Sequence, residues 1–419
     1  MLNIGIIGIG TVGSSVVNIL KQNKDLISSR AGIEINPIIG VVKNIDKKRN
    51  VNIKLTNNIN EVLEDDSIDI VVELMGGVEE SFKVIKKALA NNKAIVTANK
   101  ALLAYHRYEI QDLAKNIPFK YEASVAGGIP IINALKDGLN ANNILSIKGI
   151  MNGTCNYMLT KMMSTGVEYE EILKESQKLG YAEADPSFDV GGFDAAHKLL
   201  ILASLAYNLD AKPEDILIEG IENISKIDIS FAKESNYSIK LLGIAKIIKD
   251  EIELRVHPVL ISNEEMISKV DGVMNGISII GDKVGETLYY GAGAGGDATA
   301  SAVISDIINI AREDKSSYML GYKQQQTKLK LATPEYIQTE YYIRIKVEDK
   351  SGVLAKIALI FEKYNVSIKT LSQKPNNNKH VNLLISTHKS KEKNIQNLLT
   401  SLNNYDLVVC SPCMIRIES

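Results

Sequence analysis

Over roughly its first 120 residues, the chain alternates short β-branched runs with segments whose apolar positions recur at a helical period. The β-branched runs predict strands at 1–8, 35–42, 68–74 and 94–97. Helices are predicted between them, for example at 14–20 and 82–90. Strands that alternate with helices in this way are typical of a parallel, doubly wound α/β sheet.

From about Gly149 the pattern changes, and a different architecture is predicted for the middle of the chain. Long helical periods cover 169–178 and 195–207, and antiparallel-looking strands follow within 252–259 and 278–290. This mixture predicts a second domain of the α+β class.

The last part of the chain has a third pattern, after a polar segment at 321–329 that is predicted to be a linker. Strands are predicted at 341–347, 366–371, 381–387 and 407–417, with helices at 353–364 and 391–402. The resulting order, βαββαβ, is the ferredoxin-like arrangement.

Length and charge narrow the class of protein without identifying it. A chain of 419 residues is expected to form two or three domains, since domains typically span roughly 100–200 residues. The formal net charge of −2 argues against nucleic acid as the partner, and the longest apolar stretches fall short of the roughly 20 residues of a membrane span. Three cysteines cannot form an even set of disulfides, which favours the reducing cytoplasm.

A glycine-rich loop lies between the first strand and the first helix. Its sequence, Gly8-Ile9-Gly10-Thr11-Val12-Gly13, has the spacing with which a tight turn and a helix N-terminus bind a pyrophosphate. A strand–loop–helix context favours dinucleotide binding over a merely tight turn. After the second strand the chain has Lys43 where NAD-binding proteins usually have an acid, so NADP is favoured over NAD, unless this is simply a solvated basic loop.

One helix of the predicted middle domain begins with two charged residues on the same face. Asp194 and Lys198 are four residues apart, and the helix continues as Leu199-Leu200-Ile201-Leu202-Ala203. An ordinary surface ion pair would have the same spacing. A helix that is apolar on nearly every side is expected to be buried, however, which favours charges on the wall of a functional cavity.

Two further segments carry candidate chemistry. Thr97-Ala98-Asn99-Lys100 follows the fourth strand, at the sheet edge where doubly wound folds bind ligands. The segment 122–130 combines Glu122 with a turn rich in carbonyl groups, an oxygen-only set that suits a hard monovalent cation. Spacing alone favours a plain Gly-Pro turn there.

Three motifs together resemble homoserine dehydrogenase. They are Asn152-Gly153-Thr154-Cys155-Asn156-Tyr157, the segment LGYAEADPSFDVGGFDAAHK at 179–198, and Gly291-Ala292-Gly293-Ala294-Gly295. The last 80 residues resemble an ACT domain through the turn at 348–354. The resemblance implies a Rossmann-type NAD(P)-binding domain at 1–130 closed by a helix near 298–317, a catalytic and dimerisation domain at 131–320, and a regulatory ACT domain at 338–419.

The same resemblance implies an activity and a set of site residues. The activity is the NAD(P)H-dependent, reversible reduction of L-aspartate 4-semialdehyde to L-homoserine in threonine, methionine and isoleucine synthesis. It implies Lys198 as proton donor with Lys100 beside it, and Glu183, Asp194 and Asp189 as substrate ligands. It implies cofactor contacts for Gly10, Thr11, Val12, Lys100, Gly180 and Gly295, to which the loop patterns add Gly8, Gly13 and Lys43. It implies sodium ligands in Glu122 and the carbonyls of Val125, Gly127 and Ile129.

Regulation and assembly follow from the ACT resemblance in the same way. It implies an amino-acid effector, with threonine as the leading candidate because it is the pathway's product, and a homodimer or homotetramer. Two other functions remain open: an ACT-bearing dehydrogenase for a hydroxy acid, and a non-catalytic sensor of amino acids and nucleotides. The first would need a histidine or arginine constellation, and the second would not need the intact set of Glu183, Asp194 and Lys198.

Four further residues are expected to have no catalytic or metal-binding role. Cys155 has no histidine in its local motif, so we do not expect it to be a nucleophile. Cys410 and Cys413 have a CxxC spacing but no second ligand pair. His197 precedes Lys198 and therefore points elsewhere on the helix.

Overall fold

The structure is a computed structural model that describes residues 1–312, 318–322, 329–373 and 379–418. Contacts between residues divide it into two compact units, each built from three separate segments. The first unit comprises Met1–Met151, Asp194–Asp215 and Val273–Leu329; the second comprises Asn152–Phe193, Ile216–Gly272 and Lys330–Ser419. No described helix is long and apolar enough to span a bilayer.

The first unit contains the predicted parallel sheet, whose strand order is β3-β2-β1-β4-β5-β6. Its strands are β1 (Leu2–Ile7), β2 (Ile35–Val41), β3 (Lys54–Thr56), β4 (Ile70–Glu73), β5 (Ala94–Thr97) and β6 (Phe119–Lys120). All four residues of β4 and of β5 are buried, as expected for strands covered on both faces. The order reverses between β1 and β4, and the glycine loop follows β1 at this switch point.

The helices of the first unit come from all three of its segments. They are α1 (Thr11–Gln22), α2 (Lys24–Ala31), α3 (Asn60–Leu63), α4 (Glu79–Ala90), α5 (Lys100–Ala114), α6 (Ile131–Asn133), α10 (Phe193–Tyr207) and α12 (Gly296–Ala311). Helix α12 comes from late in the chain and packs its Val303, Ile304 and Ile307 into the same core as Val16 and Leu20 of α1.

A smaller antiparallel sheet in the first unit consists of β7 (Ile144–Ile150), β11 (Met274–Gly281) and β12 (Gly285–Ala292). The predicted run at 278–290 is therefore two strands joined by a tight turn. The residues of that turn, Asp282-Lys283-Val284, interrupt the apolar pattern, and Gly285 takes the positive φ that the turn requires.

The second unit is a helical segment followed by a mixed sheet in the order β9-β10-β18-β14-β16-β15. Its helices are α7 (Gly153–Thr165), α8 (Tyr169–Lys178), α9 (Ser187–Val190), α11 (Lys226–Glu234), α13 (Val353–Lys363) and α14 (Glu392–Asn403). Its strands are β8 (Leu217–Ile218), β9 (Tyr237–Ile248), β10 (Glu251–Ser262), β13 (Lys330–Leu331), β14 (Gln338–Glu348), β15 (Ile368–Gln373), β16 (His380–Thr387), β17 (Ser390–Lys391) and β18 (Cys413–Glu418).

The final part of this unit confirms the predicted βαββαβ order, with a short extra strand, β17, before α14. The prediction that its last strand begins at residue 407 is wrong, because β18 begins at Cys413. Val408 forms only an isolated bridge with Val347, and Pro412 has no N–H to donate to a ladder. Most of the predicted linker, residues 323–328, lies outside the described residues.

Candidate active site

The glycine loop has the backbone geometry that its sequence predicts. Gly8 has φ of 108°, and a Cβ there would lie 2.6 Å from the carbonyl oxygen of Leu74. A Cβ on Gly13 would lie 2.2 Å from the carbonyl oxygen of Gly8, so this glycine allows the helix to pack closely on the strand. A Cβ on Gly10 would meet no atom within 4 Å, which leaves space beside the N-terminus of α1 for a phosphate.

The basic loop after β2 contacts the glycine loop through Arg49. Its Nε donates to the carbonyl oxygen of Ile9 at 2.9 Å, and its Nη1 donates to the carbonyl oxygens of Asn44 and Lys47, both at 2.8 Å. Lys43 is exposed on the same loop. Arg49 therefore fixes the loop that carries Lys43 against the predicted cofactor site.

Lys100, Asp194 and Lys198 meet in one cluster, although Lys100 lies almost 100 residues from the others. One oxygen of the Asp194 carboxylate is 2.5 Å from Nζ of Lys100, and the other is 2.8 Å from Nζ of Lys198. Nζ of Lys198 also donates to the carbonyl oxygen of Met151 at 2.7 Å. Asp194 is 3% exposed and Lys198 8%, which excludes the surface ion pair as the explanation of their spacing.

Two helices position this cluster by their N-termini. Lys100 is the first residue of α5, capped by the Asn99 side chain, which accepts from the N–H of Leu102; Asp194 and Lys198 lie in the first two turns of α10. Burial alone would raise the pKa of Asp194, but the charges of Lys198 and Lys100 outweigh burial and hold that pKa far below its usual range. Asp194 is therefore ionised at any working pH, and its charge compensates the two ammonium groups.

Sequence reasoning missed a buried acid that bonds the segment preceding Lys100. Glu73, at the end of β4, is fully buried and accepts hydrogen bonds from the hydroxyls of Thr97 at 2.6 Å and Ser81 at 3.2 Å. Asn99 in turn donates to the carbonyl oxygen of Gly77 at 2.6 Å. An acid that ends a buried strand, at the switch edge of the sheet, is the sequence signal that would have pointed to it.

The second unit carries Asp189, Glu183 and Gly180 of the predicted substrate and cofactor residues. The Asp189 carboxylate, in α9, accepts from Nδ2 of Asn152 at 2.7 Å. Glu183 is exposed on the loop after α8, and Gly180 ends that helix with φ of 77°. In the first unit, Gly295 precedes α12 with φ of 118°, and a Cβ there would meet no atom within 4 Å.

The predicted sodium segment is a buried turn around one carboxylate. Glu122 is 2% exposed, and its two oxygens accept the N–H groups of Ile132 and Asn133, both at 2.8 Å. Burial raises its pKa to about 7. Each of these oxygens can accept one further partner beside a turn in which Ala126 and Gly127 both have φ of 54°, so Glu122 remains available as a ligand of a hard cation.

Cys155, Cys413 and His197 have structural surroundings, whereas Cys410 is exposed. The thiol of Cys155 donates to the carbonyl oxygen of Asp189, and that of Cys413 to the carbonyl oxygen of Asn223. Burial raises the pKa of Cys413 to about 12, so it carries no reactive thiolate. The His197 ring packs edge-on against Tyr105. Within the described ranges, no group of three His, Cys, Asp or Glu side chains is arranged to bind a metal ion.

Comparison with known proteins gives one consistent family. The family model "Homoserine dehydrogenase" matches residues 130–308, "Homoserine dehydrogenase, NAD binding domain" matches residues 8–122, and "ACT domain" matches residues 341–406. The curated homoserine dehydrogenase of Helicobacter pylori is 57% identical, covering 100% of this chain and 99% of its own.

Two solved structures agree with this assignment. A homoserine dehydrogenase from Thiobacillus denitrificans is 41% identical with a TM-score of 0.94, covering 100% of this chain and 98% of its own. A hyperthermophilic archaeal homoserine dehydrogenase, solved in complex with NADPH, is 27% identical with a TM-score of 0.62, covering 78% of this chain and 99% of its own.

The two lysines around the buried Asp194, the glycine loop and these matches lead to one conclusion. The chain belongs to the homoserine dehydrogenase family, NAD(P)-dependent oxidoreductases that interconvert L-aspartate 4-semialdehyde and L-homoserine, and it carries a C-terminal ACT domain.

Proposed function

We propose that Lys198 is the proton donor of this reaction and that Lys100 is the electrostatic partner beside it. The observation that supports this proposal is the buried carboxylate of Asp194, which bonds both ammonium groups and holds them close together. Reduction of an aldehyde creates an alkoxide, which needs a nearby proton and positive charge.

The division of labour follows from the contacts of each group. When bound, a nicotinamide supplies the hydride. Nζ of Lys198 then gives a proton to the oxygen of the former carbonyl group, while its bonds to Asp194 and the Met151 carbonyl keep the ammonium directed. Glu183 and Asp189 are proposed as ligands of the substrate, as their places in the motif at 179–198 imply.

A single assay separates this function from its alternatives. Purified protein is mixed with NADPH and aspartate semialdehyde, and absorbance at the NADPH band is followed. We expect prompt oxidation of NADPH with the semialdehyde and none with simple 2-oxo acids. Activity only with 2-oxo acids would indicate a hydroxy-acid dehydrogenase, and binding of NADPH without turnover of any substrate would indicate a sensor.

NADP is proposed as the preferred cofactor because Lys43 and Arg49 place positive charge beside the glycine loop. The relative solved with NADPH supports this choice. Lys43→Glu is expected to lower the ratio of kcat/KM for NADPH over NADH by about tenfold, the order expected for one lost charged contact. Lys24→Glu, an exposed lysine of α2 paired with Glu34, is the control. An unchanged ratio in Lys43→Glu would remove Lys43 from phosphate recognition.

The proposal has three further parts. Sodium binds at Glu122 and the carbonyls of Val125, Gly127 and Ile129, threonine regulates the enzyme, and the chain forms a homodimer or homotetramer. The ACT domain supports an amino-acid effector. Calorimetric titration of the full chain with threonine is expected to give heat and to coincide with inhibition. Absence of both would exclude threonine as the effector. The cytoplasmic location stays a prediction from the cysteine count.

A further inference from the structure

A buried ion cluster joins the ACT domain to the segment that follows β8. Arg416 of β18 is 0% exposed and bonds both oxygens of Glu219, at 2.7 and 2.8 Å. The same guanidinium bonds the Glu392 carboxylate at 2.6 and 2.9 Å, and Tyr341 donates its hydroxyl to that carboxylate at 2.9 Å. Bidentate pairs of this kind fix direction as well as distance, so Glu219 is held in one orientation.

The backbone around Glu219 is bonded on its other side to the substrate motif. The N–H of Ile221 donates to the carbonyl oxygen of Val190 at 3.0 Å. A Cβ on Gly220 would lie 2.6 Å from that same oxygen, so the two chain segments are in direct contact there. The N–H of Glu219 donates to the carbonyl oxygen of Val256 at 2.8 Å, which ties the segment to β10 as well.

Val190 is the last residue of α9, the single helical turn that also contains Asp189. A turn of four residues has too few internal hydrogen bonds to hold its own position. Asn152 bonds the Asp189 carboxylate from one side, and the segment at 219–221 bonds the carbonyl of Val190 from the other. Displacement of that segment would therefore displace the Asp189 carboxylate.

We propose that Glu219 and Arg416 are positioning residues for substrate binding, through which the last strand of the ACT domain holds the turn that carries Asp189. This inference rests on the proposed role of Asp189 as a substrate ligand. The ACT domain then contributes to the affinity for homoserine even when no effector is bound.

A second ion pair of the ACT domain supplies a matched control. Arg344 of β14 bonds the Asp228 carboxylate of α11 at 2.9 and 3.2 Å, and Tyr342 donates to the same carboxylate at 2.8 Å. This pair also joins the ACT domain to the rest of the unit, but its carboxylate lies in α11. Near the Glu219 segment, Arg344 makes a long bond from Nη2 to the carbonyl oxygen of Asn223 at 3.4 Å, and the bond between Ile221 and Val190 does not involve it. Loss of this ion pair tests the attachment of the ACT domain while Glu219 stays bonded to Arg416.

The experiment compares Glu219→Ala, the conservative Glu219→Gln and the control Arg344→Ala in the full chain. Glu219→Ala is expected to raise the KM for homoserine by about threefold or more, with kcat and the KM for NADP within about twofold. Its calorimetric Kd for homoserine, measured with NADPH so that no turnover occurs, is expected to rise by the same factor. Glu219→Gln, which keeps a hydrogen bond to Arg416, is expected to lie between wild type and Glu219→Ala. Arg344→Ala is expected to lower Tm and leave the KM for homoserine unchanged.

The inference is overturned if Glu219→Ala has the wild-type KM and Kd for homoserine, or if Arg344→Ala raises them equally. Should Glu219→Ala not fold, Glu219→Gln is measured against the same control, and a wild-type KM and Kd in that variant overturns the inference equally. Asp189→Asn, measured separately, tests the underlying role. A wild-type KM in Asp189→Asn would refute that role of Asp189, whereas an effect in Asp189→Asn without one in Glu219→Ala would refute the positioning role alone.

Discussion

Asp194 determines what its two lysine neighbours can do. A carboxylate that remained exposed would leave each lysine a mobile, solvated cation with little directional effect. Buried and ionised, it instead holds Lys198 and Lys100 within hydrogen-bonding distance of one group. Spacing in the sequence predicted the Asp194–Lys198 contact, but the contact with Lys100 depends on which helices the fold brings together, and only the family resemblance pointed to it.

Replacement of Lys198 tests the chemical role directly. We expect Lys198→Ala to lower kcat by about 10²-fold or more, the usual contribution of a positioned proton donor, with binding of NADPH retained. Fluorescence titration of NADPH and steady-state kinetics measure the two quantities. Lys83→Ala, which removes an exposed ion pair with Glu80, is expected to leave both unchanged. More than a tenth of the wild-type kcat in Lys198→Ala would exclude Lys198 as the donor.

The carboxyl groups at the proposed sodium site predict a dependence of stability on pH. Burial raises the pKa of Glu122 from 4.5 to about 7 and that of Asp306 from 3.8 to about 8, so the native state keeps protons that the unfolded chain has lost. The contribution of these two groups to the free energy of unfolding is then greatest below about pH 4, and it is lost as the pH rises through 7 to 8. Lys120 and Lys136 face the same carboxyl groups and reduce the fall without reversing it.

Sodium bound at Glu122 would favour the ionised carboxylate and oppose that fall. We therefore expect a higher Tm in sodium chloride than in choline chloride of equal ionic strength at pH 8, with a smaller difference at pH 5. Glu122→Gln is expected to lose the sodium-dependent part. Equal Tm values in the two salts at pH 8 would argue against a sodium site here.

At the scale of elements, α5 and α10 are bonded to each other at two places along their length. Lys100 bonds Asp194 near the start of both helices, and Arg107 of α5 bonds Oγ of Ser204 in α10 at 2.6 Å two turns further on. Arg107 is 2% exposed and also donates to the carbonyl oxygens of Ala104 and Ala211. The two helices thus run side by side in the same direction, and both N-termini, with their positive dipole ends, lie at the lysine cluster.

Arg107 is expected to stabilise this arrangement substantially. Arg107→Met should lower the free energy of unfolding by roughly 2–4 kcal/mol, because several buried oxygens lose a charged donor. Urea unfolding measures the difference. Lys54→Met, which breaks an exposed pair with Glu61, should change it by less than about 0.5 kcal/mol. Equal effects in the two variants would show that Arg107 does not brace the helices.

The elements also show how far a sequence pattern reaches. Strand β5 and helix α8 were predicted with the bounds that they have, because uninterrupted buried runs and regular periods leave little ambiguity. The start of β18 was wrong, since pairing with β14 and β10 decides it and the local pattern does not. Arg107 could not be identified for the same reason, because its partners are set by the tertiary fold.

For the whole molecule, the chain order and the spatial units differ. Each unit is assembled from three segments, so α12 packs on a sheet whose last strand precedes it by more than 170 residues. No local pattern contains that information. It is also why the family resemblance, which spans nearly the whole chain, was more informative about the site than any single motif.

The outer strand of the ACT sheet predicts how copies of the chain assemble. Strand β15 lies at the end of its sheet, and five of its six residues are exposed, including Leu371 at 38%. An open strand edge with unpaired backbone groups and an exposed leucine is a template for pairing with a second copy. We expect Leu371→Lys to shift the molecular mass measured by light scattering from dimer or tetramer towards a smaller species, because a lysine blocks such pairing.

Leu113→Lys, at an equally exposed leucine of α5 in the first unit, should leave the mass unchanged. A wild-type chain that is monomeric at micromolar concentration, or an equal effect in both variants, would contradict assembly through this edge.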